Sequence, residues 1–259
     1  MKNPLRAIVY GLVDRMTFRR GIRRTYGGHS LRLPVRHVRY YQADYEPALF
    51  QFLKQNLKAG NTFWDCGAHF GLFSVIASRF VGPNGRVLAF EPMPSVREVL
   101  AEVVSMNEAM NVFVRPEALC DRVGEAIFYV TGNESSNADS LIRQTRHIGG
   151  ITVSASTVDA MAKELGARAD LMKIDVEGAE LALLKGARGV IEEYRPVLFL
   201  SLHPAAIANS GTTLTEVFDL LEEYGFRTFW RAQPVDRRWF ESQAGLFDVE
   251  CFPAEKVNR

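Results

Sequence analysis

The chain has 259 residues, 47% of them hydrophobic, and its 31 Lys/Arg against 30 Asp/Glu leave a formal net charge of +1. That length favours one domain, at most two, and that composition excludes disordered, collagen-like and polybasic-tail proteins. The near-neutral total hides a split: residues 1–40 carry ten Lys/Arg and one acid, a net of +9, and the remaining 219 residues hold 21 basic and 29 acidic side chains, a net of −8.

The sequence therefore reads as a basic N-terminal arm over residues 1–45 and a single domain over residues 46–259. In the arm, residues 7–13 are apolar but short, contain Gly11 and run into Asp14 and Arg15. A membrane-spanning helix needs about 18 apolar residues, and no small-residue cleavage site follows, so neither a span nor a signal peptide is predicted. Leu49, Phe50, Leu53 and Leu57 recur at helical spacing, which predicts a helix over 46–57 that Gly60 and Asn61 stop. An alternation follows: strand 62–66, helix 72–80, strand 86–90, helix 95–106, strand 111–115. Strands 126–130 and 151–155 have a polar Ser/Asn/Gly-rich linker between them instead of a helix. This predicts an inserted antiparallel β excursion near residues 126–155 with a mobile loop. The pattern resumes with strand 170–175, helix 179–194, strand 196–202 and helix 213–224, and segments 226–230 and 246–252 close the sheet as an antiparallel pair. The predicted class is α/β: a doubly wound, mostly parallel sheet with helices on both faces and an antiparallel C-terminal strand. The cysteines Cys66, Cys120 and Cys251 form no CxxC pair, so neither a disulfide framework nor a zinc-thiolate site is predicted, and a reducing cytoplasm is the expected location.

The segment Asp65-Cys66-Gly67-Ala68-His69-Phe70-Gly71 sits at the first strand-to-helix switch. Gly67 and Gly71 would let backbone approach a ligand where a Cβ would clash, or would serve tight strand-to-helix packing. Glu91 ends the next strand, 20 residues after Gly71, where an acid commonly takes the two ribose hydroxyls. The dinucleotide fingerprint G-x-G-x-x-G is not met, and Asp65 before the first glycine would repel a pyrophosphate. An acid there suits a cationic ligand such as S-adenosylmethionine better than NAD.

These residues resemble the opening motif of the FkbM family of methyltransferases, continued through Leu72-Phe73-Ser74. Phe90-Glu91-Pro92 is similar to that family's second motif, and Ala118-Leu119-Cys120-Asp121 with Gly124 to its third. Ser156-Thr157-Val158-Asp159 resembles the element before its fourth strand. Lys173-Ile174-Asp175-Val176-Glu177-Gly178-Ala179-Glu180, followed by Lys185-Gly186-Ala187, resembles its most recognisable signature. The likeness spans about residues 61–205. It implies a Rossmann-like fold and S-adenosylmethionine-dependent O-methylation of sugars, glycolipid glycans or macrolide-like natural products. Two positions depart from the family: His69 stands where asparagine is common, and Ser201 stands two before His203, where glutamate is frequent.

Asp65, Gly67, Ala68, Gly71, Glu91 and Pro92 are the expected cofactor-binding residues, with Glu117 and Ala118 at the adenine end. Asp175 and His203 end the fourth and fifth strands and are expected to face the same crevice. Methyl transfer to a hydroxyl needs an in-line approach and a destination for the proton. His203 is read as the base or as a group positioning the hydroxyl, with helix capping before Pro204 as the structural alternative. Asp175 would orient the substrate or the sulfonium side. Asp175, Glu177 and His203 also make a candidate site for Mg²⁺ or Mn²⁺. Glu180 falls in the first turn of a helix, where an acid favours the helix dipole. Phe63 and Trp64 are read as core. The polar loop 132–140 suits sugar recognition or solvent.

The leading function is an O-methyltransferase acting on a hydroxyl of a carbohydrate, a glycolipid or polysaccharide, or a glycosylated natural product. An NAD-linked oxidoreductase and an inert Rossmann-like binding module are the alternatives. Nucleic acid is disfavoured: no Asn-Pro-Pro-Tyr and no Pro-Cys motif is present, and aromatic residues do not interleave with the arginines of the arm. The arm, residues 1–40, is expected to contact an anionic membrane at the inner surface or an acidic glycan acceptor.

Overall fold

The computed structural model describes residues 21–38, 40–42, 44–132 and 138–257. It opens with β1 (Ile22–Tyr26), β2 (His29–Leu33), a 3-10 turn (Val35–His37) and α1 (Pro47–Asn56). Then come β3 (Thr62–Cys66), α2 (Leu72–Val81), β4 (Arg86–Phe90), α3 (Pro94–Met106) and β5 (Val112–Arg115). A short β6 (Ala118–Leu119) leads into β7 (Gly124–Val130) and β8 (Gly149–Ser156). Next are α4 (Val158–Leu165), β9 (Leu171–Ile174), α5 (Glu180–Lys185), α6 (Arg188–Tyr194), β10 (Val197–Leu202), α7 (Pro204–Asn209) and α8 (Leu214–Glu223). The described chain closes with β11 (Phe226–Trp230), β12 (Gln233–Pro234), α9 (Arg237–Glu241), β13 (Phe247–Pro253) and α10 (Ala254–Val257).

The main sheet has the order β12-β11-β13-β10-β9-β3-β4-β5. Strands β5, β4, β3, β9 and β10 run parallel, and β13 joins β10 antiparallel. This is the Rossmann-like doubly wound fold expected, with its antiparallel C-terminal strand. Alternate side chains feed two separate cores, as a sheet buried on both faces requires. Trp64, Leu88, Met172, Ile174, Leu198 and Leu200 face α4 to α9. Phe63, Val87, Ala89, Leu171 and Phe199 face α1 to α3 and the N-terminal hairpin. The inserted excursion is a three-stranded sheet in the order β6-β8-β7, with β7 and β8 antiparallel.

Two expectations are corrected. The basic arm is not free of the body from Gly21 onward. Arg23, Arg24 and Arg32 lie in a hairpin whose Tyr26, Leu31 and Leu33 are buried against α2 and α3. Asn107 fastens that hairpin, accepting from the Arg32 amide and donating to the Arg32 carbonyl, both at 2.8 Å. Residues 1–20 of the arm, and 133–137 of the polar loop, lie outside the described residues. The helix expected over 179–194 is two helices that part at Gly186, which packs so closely on Cys120 that a Cβ there would meet the Cys120 carbonyl oxygen at 2.1 Å. Helices α4, α7 and α9 have no counterpart among the expected elements. Among the described residues no helix is long and apolar enough to cross a membrane.

Leu33→Ala in the hairpin is expected to cost about 2–5 kcal/mol, the usual range for a buried leucine. A denaturant midpoint equal to that of the wild type would show that the hairpin does not belong to the folded body.

Candidate active site

From β3 the chain winds toward β4 and β5, and from β9 it winds toward β10. A crevice opens beyond the carboxyl ends of β3 and β9, where such sheets bind ligands. It holds a cavity of about 530 Å³.

A buried ion triad forms the floor. Asp65 and Lys173 are register partners on β3 and β9. The Lys173 ammonium lies 3.4 Å from Asp65 Oδ1 and 3.4 Å from Asp175 Oδ2, and donates to the Gly67 carbonyl at 2.9 Å. Burial works to lower the lysine pKa, but Asp175, Asp65 and Glu46 outweigh it and raise it, so the lysine is charged. Asp65 Oδ2 also accepts from the Ser74 hydroxyl at 2.6 Å. Asp65 therefore lies under the cavity rather than on its wall, and its partner is Lys173 rather than a ligand. The glycines of this motif answer to the protein in the same way. Gly67 has φ +85°, and a Cβ there would meet the Asp175 carbonyl oxygen at 2.0 Å. Gly71 has φ +77° and abuts Leu100, away from the cavity lining. Of the first motif, Gly67, Ala68, His69, Leu72 and Phe73 line the cavity.

Glu91 is buried and fixed by two amides: Oε2 accepts from His69 N–H at 3.0 Å and Oε1 from Met93 N–H at 2.9 Å. Burial pushes its carboxyl up to about 7. Each of its oxygens can accept a further hydrogen bond. His69 sits at φ +49°, a left-handed conformation in which asparagine and histidine are both enriched, which explains why this exchange is accommodated. Pro92, Glu117 and Ala118 line the same end. The Glu117 carboxylate is already held by both nitrogens of the Arg115 fork, at 2.8 and 3.1 Å.

At the other end His203 is surrounded by acids. Its Nδ1 lies 2.9 Å from Glu180 Oε1, and its Nε2 lies 3.3 Å from Glu177 Oε1 and 3.6 Å from Asp175 Oδ1. Burial lowers its pKa, but hydrogen bonds to Glu177 and Glu180 and the charge of Asp175 overcome that and bring it to about 10. Nδ1 is taken by Glu180 and Nε2 faces Asp175 and Glu177, an arrangement that favours the positioning role over that of a base. Its ring makes no helix-capping bond to α7 either. The carboxylate expected at position 201 is supplied from elsewhere: Glu180, fully buried, orients the ring, and Asp248 on β13 accepts from Ser201 Oγ at 2.7 Å.

Asp175, Glu177 and His203 each offer a ligand atom, all within 4.8 Å of one another. Two oxygens and an imidazole whose other nitrogen is held by a carboxylate fit a divalent cation.

Sequence reading passed over Lys173, Glu46, Asp248 and Arg146. The sign of Lys173 was legible, since a charge inside the buried strand Leu171–Ile174 needs a partner. Arg146 comes from the excursion and donates to Glu177 Oε2 at 2.8 Å, while the buried Ser140 hydroxyl donates to the Glu177 carbonyl at 2.7 Å. The excursion is thereby pinned to the Glu177 turn as a cavity wall.

A profile of the Methyltransferase FkbM domain matches residues 65–228. The chain belongs to the FkbM methyltransferase family. Methyltransferase sdnD of Sordaria araneosa is 29% identical over 205 residues, covering 66% of this chain and 75% of that protein. A solved FkbM methyltransferase from Methylobacillus flagellatus has a TM-score of 0.48 at 17% identity over 80% of this chain and 51% of that one. The chain thus spans about half the length of that solved relative. Precorrin-6y C5,15-methyltransferase from Geobacter metallireducens has a TM-score of 0.50 at 15% identity, over 83% of this chain and 92% of that one, a likeness of fold.

Lys173→Met leaves Asp65 and Asp175 without a counter-charge and is expected to cost about 3–5 kcal/mol, the range for breaking a buried ion pair from one side. Stability equal to that of the wild type in denaturant would show that the triad does not hold the sheet.

Proposed function

We propose that this methyltransferase uses S-adenosylmethionine to methylate a hydroxyl of a carbohydrate, a glycolipid or polysaccharide, or a glycosylated natural product. The observation that carries the reading is the charge of the cavity wall. Glu46, Glu91, Asp175, Glu177 and Asp248 line it and outnumber the cations there. That field suits a ligand bearing a sulfonium and an ammonium and repels the pyrophosphate of NAD. A polar end this elaborate also argues against an inert binding module.

S-adenosylmethionine would supply the methyl group as an electrophile on sulfur. Glu91, held in place by the His69 and Met93 amides, would accept the two ribose hydroxyls. Pro92, Ala118 and the Arg115-braced Glu117 would border the adenine, and Gly67 and Ala68 would run along the cofactor's middle. Asp175 and Glu177 would receive the acceptor's hydroxyl groups, aided by Ser201 and Asp248. Holding the reacting oxygen about 3–3.5 Å from the methyl carbon and in line with sulfur is the main contribution of such a wall. Asp175, Glu177 and His203 would hold Mg²⁺ or Mn²⁺, a cation that lowers the pKa of a nearby hydroxyl.

Methyl-labelled S-adenosylmethionine offered with methyl glycosides of glucose, rhamnose, fucose and glucuronic acid should yield labelled methyl ethers. EDTA should slow the transfer and Mn²⁺ restore it. Label that reaches amines or RNA and no glycoside would overturn the hydroxyl reading.

The ribose role of Glu91 predicts a pH dependence of known sign. The free carboxyl titrates near 7, and ribose hydroxyls donate to its ionised form, so binding releases a proton and strengthens as pH rises. S-adenosylhomocysteine should bind about tenfold more tightly at pH 8 than at pH 6 by calorimetry, and E91Q should lose that difference. A wild-type affinity independent of pH over this range would sink the assignment.

A further inference from the structure

With the nitrogens of His203 facing Glu180, Glu177 and Asp175, and Lys173 committed to the floor, the acceptor's proton needs another destination. Glu46 has features that ordinary packing does not explain. It is the N-cap residue of α1, where a carboxylate usually accepts from the first amides of the helix, yet its side chain makes no capping bond. Its backbone lies at φ 41°, ψ 58°, a left-handed conformation unusual for a residue with a Cβ, and Pro47 follows directly. A residue before proline is normally extended, so this conformation is doubly disfavoured. Strain of this kind persists where the surroundings impose it, and it collects at functional sites. The strained turn sends the carboxylate into the cavity wall.

The surroundings are those of a proton acceptor. The phenol of the adjacent Tyr45 acts on the carboxylate, and the charged groups facing it are Lys173 and Asp175 from β9 and the following turn, and Asp248 from β13. Tyr41 stands on the same segment. Among the described residues Glu46 makes no ion pair, whereas Asp175 and Glu177 are each paired with two cationic groups. Burial raises its carboxyl to about 7, where a carboxylate is both available and basic enough to accept a proton.

We propose that Glu46 is the catalytic residue that takes the proton from the acceptor hydroxyl. This rests on the O-methylation reading. The O–H and S–CH₃ bonds break and the O–CH₃ bond forms. The proton goes to Glu46, the electron pair of the breaking S–CH₃ bond stays on sulfur, and the products are a methyl ether and neutral S-adenosylhomocysteine. A positive sulfonium and a negative carboxylate are consumed together, a change that a half-buried cavity favours.

The test uses the full chain with the methyl glycoside that accepts label, and follows single-turnover methyl transfer alongside S-adenosylhomocysteine binding. E46Q should slow transfer by about 10²–10⁴-fold, the usual worth of a general base, with S-adenosylhomocysteine affinity kept within about threefold; E46D should recover part of the rate. E46G removes the carboxylate and relieves the left-handed backbone, so it should melt no lower than the wild type and yet be as slow as E46Q. Transfer by E46Q within about tenfold of the wild type overturns the assignment. So does a loss of S-adenosylhomocysteine affinity matching the loss of rate, which would make Glu46 a holder of the cofactor's ammonium. No transfer by the wild type to any glycoside overturns the hydroxyl reading and this assignment with it, whereas active wild type with active E46Q overturns this assignment alone.

Discussion

A lysine ammonium buried between two carboxylates joins the halves of this sheet at the point where its crevice opens. Lys173 on β9 reaches Asp65 on β3, Asp175 just past β9 and the Gly67 carbonyl. Each carboxylate alone would be costly at this depth, and the lysine alone would lose its proton. Together they fix how closely the ends of β3 and β9 approach, and that approach leaves no room for a Cβ at position 67. The cavity floor and the turn at Gly67 are built on it.

Above that floor the site is a balance of buried charge. Glu91, Glu46 and Asp248 are pushed toward their neutral forms by burial, while His203 is pushed toward its cationic form by three acids. One histidine, one lysine and one arginine from the excursion offset the acids at one end and leave Glu46 without a cation in contact. The acids and cations of the wall therefore play different parts. His203 and Arg146 hold the Glu177 turn, Glu91 waits for hydroxyl donors, and Glu46 stands open to the cavity. The excursion takes part because Ser140 and Arg146 bind the same turn that carries Glu177.

Much of the layer structure was legible because a strand buried on both faces leaves a clear pattern of short apolar runs between turns. The strands at Thr62–Cys66, Arg86–Phe90 and Phe226–Trp230 match their expected limits. The hairpin of β1 and β2 was not legible. Arg23, Arg24 and Arg32 give it the look of a solvated arm, and only the docking of Tyr26, Leu31 and Leu33 on α2 and α3 shows that the intervening residues are core. The single helix expected after Glu177 is two, and they part at Gly186, where the chain packs against the distant Cys120.

The sequence by itself determined the α/β class, the family, and the short list of acids and glycines at strand ends, because these depend on local spacing along the chain. It could not assign their partners. Asp65 looked like a ligand's counter-charge and answers to Lys173, more than a hundred residues on. His203 looked like a base, and its two nitrogens face Glu180 on one side and Asp175 and Glu177 on the other. Glu46 looked like the start of a helix and faces the cavity across from Asp248, which stands on the last strand of the sheet. Protonation states are set by burial and by charges a few ångströms away, and only the tertiary structure brings those charges together.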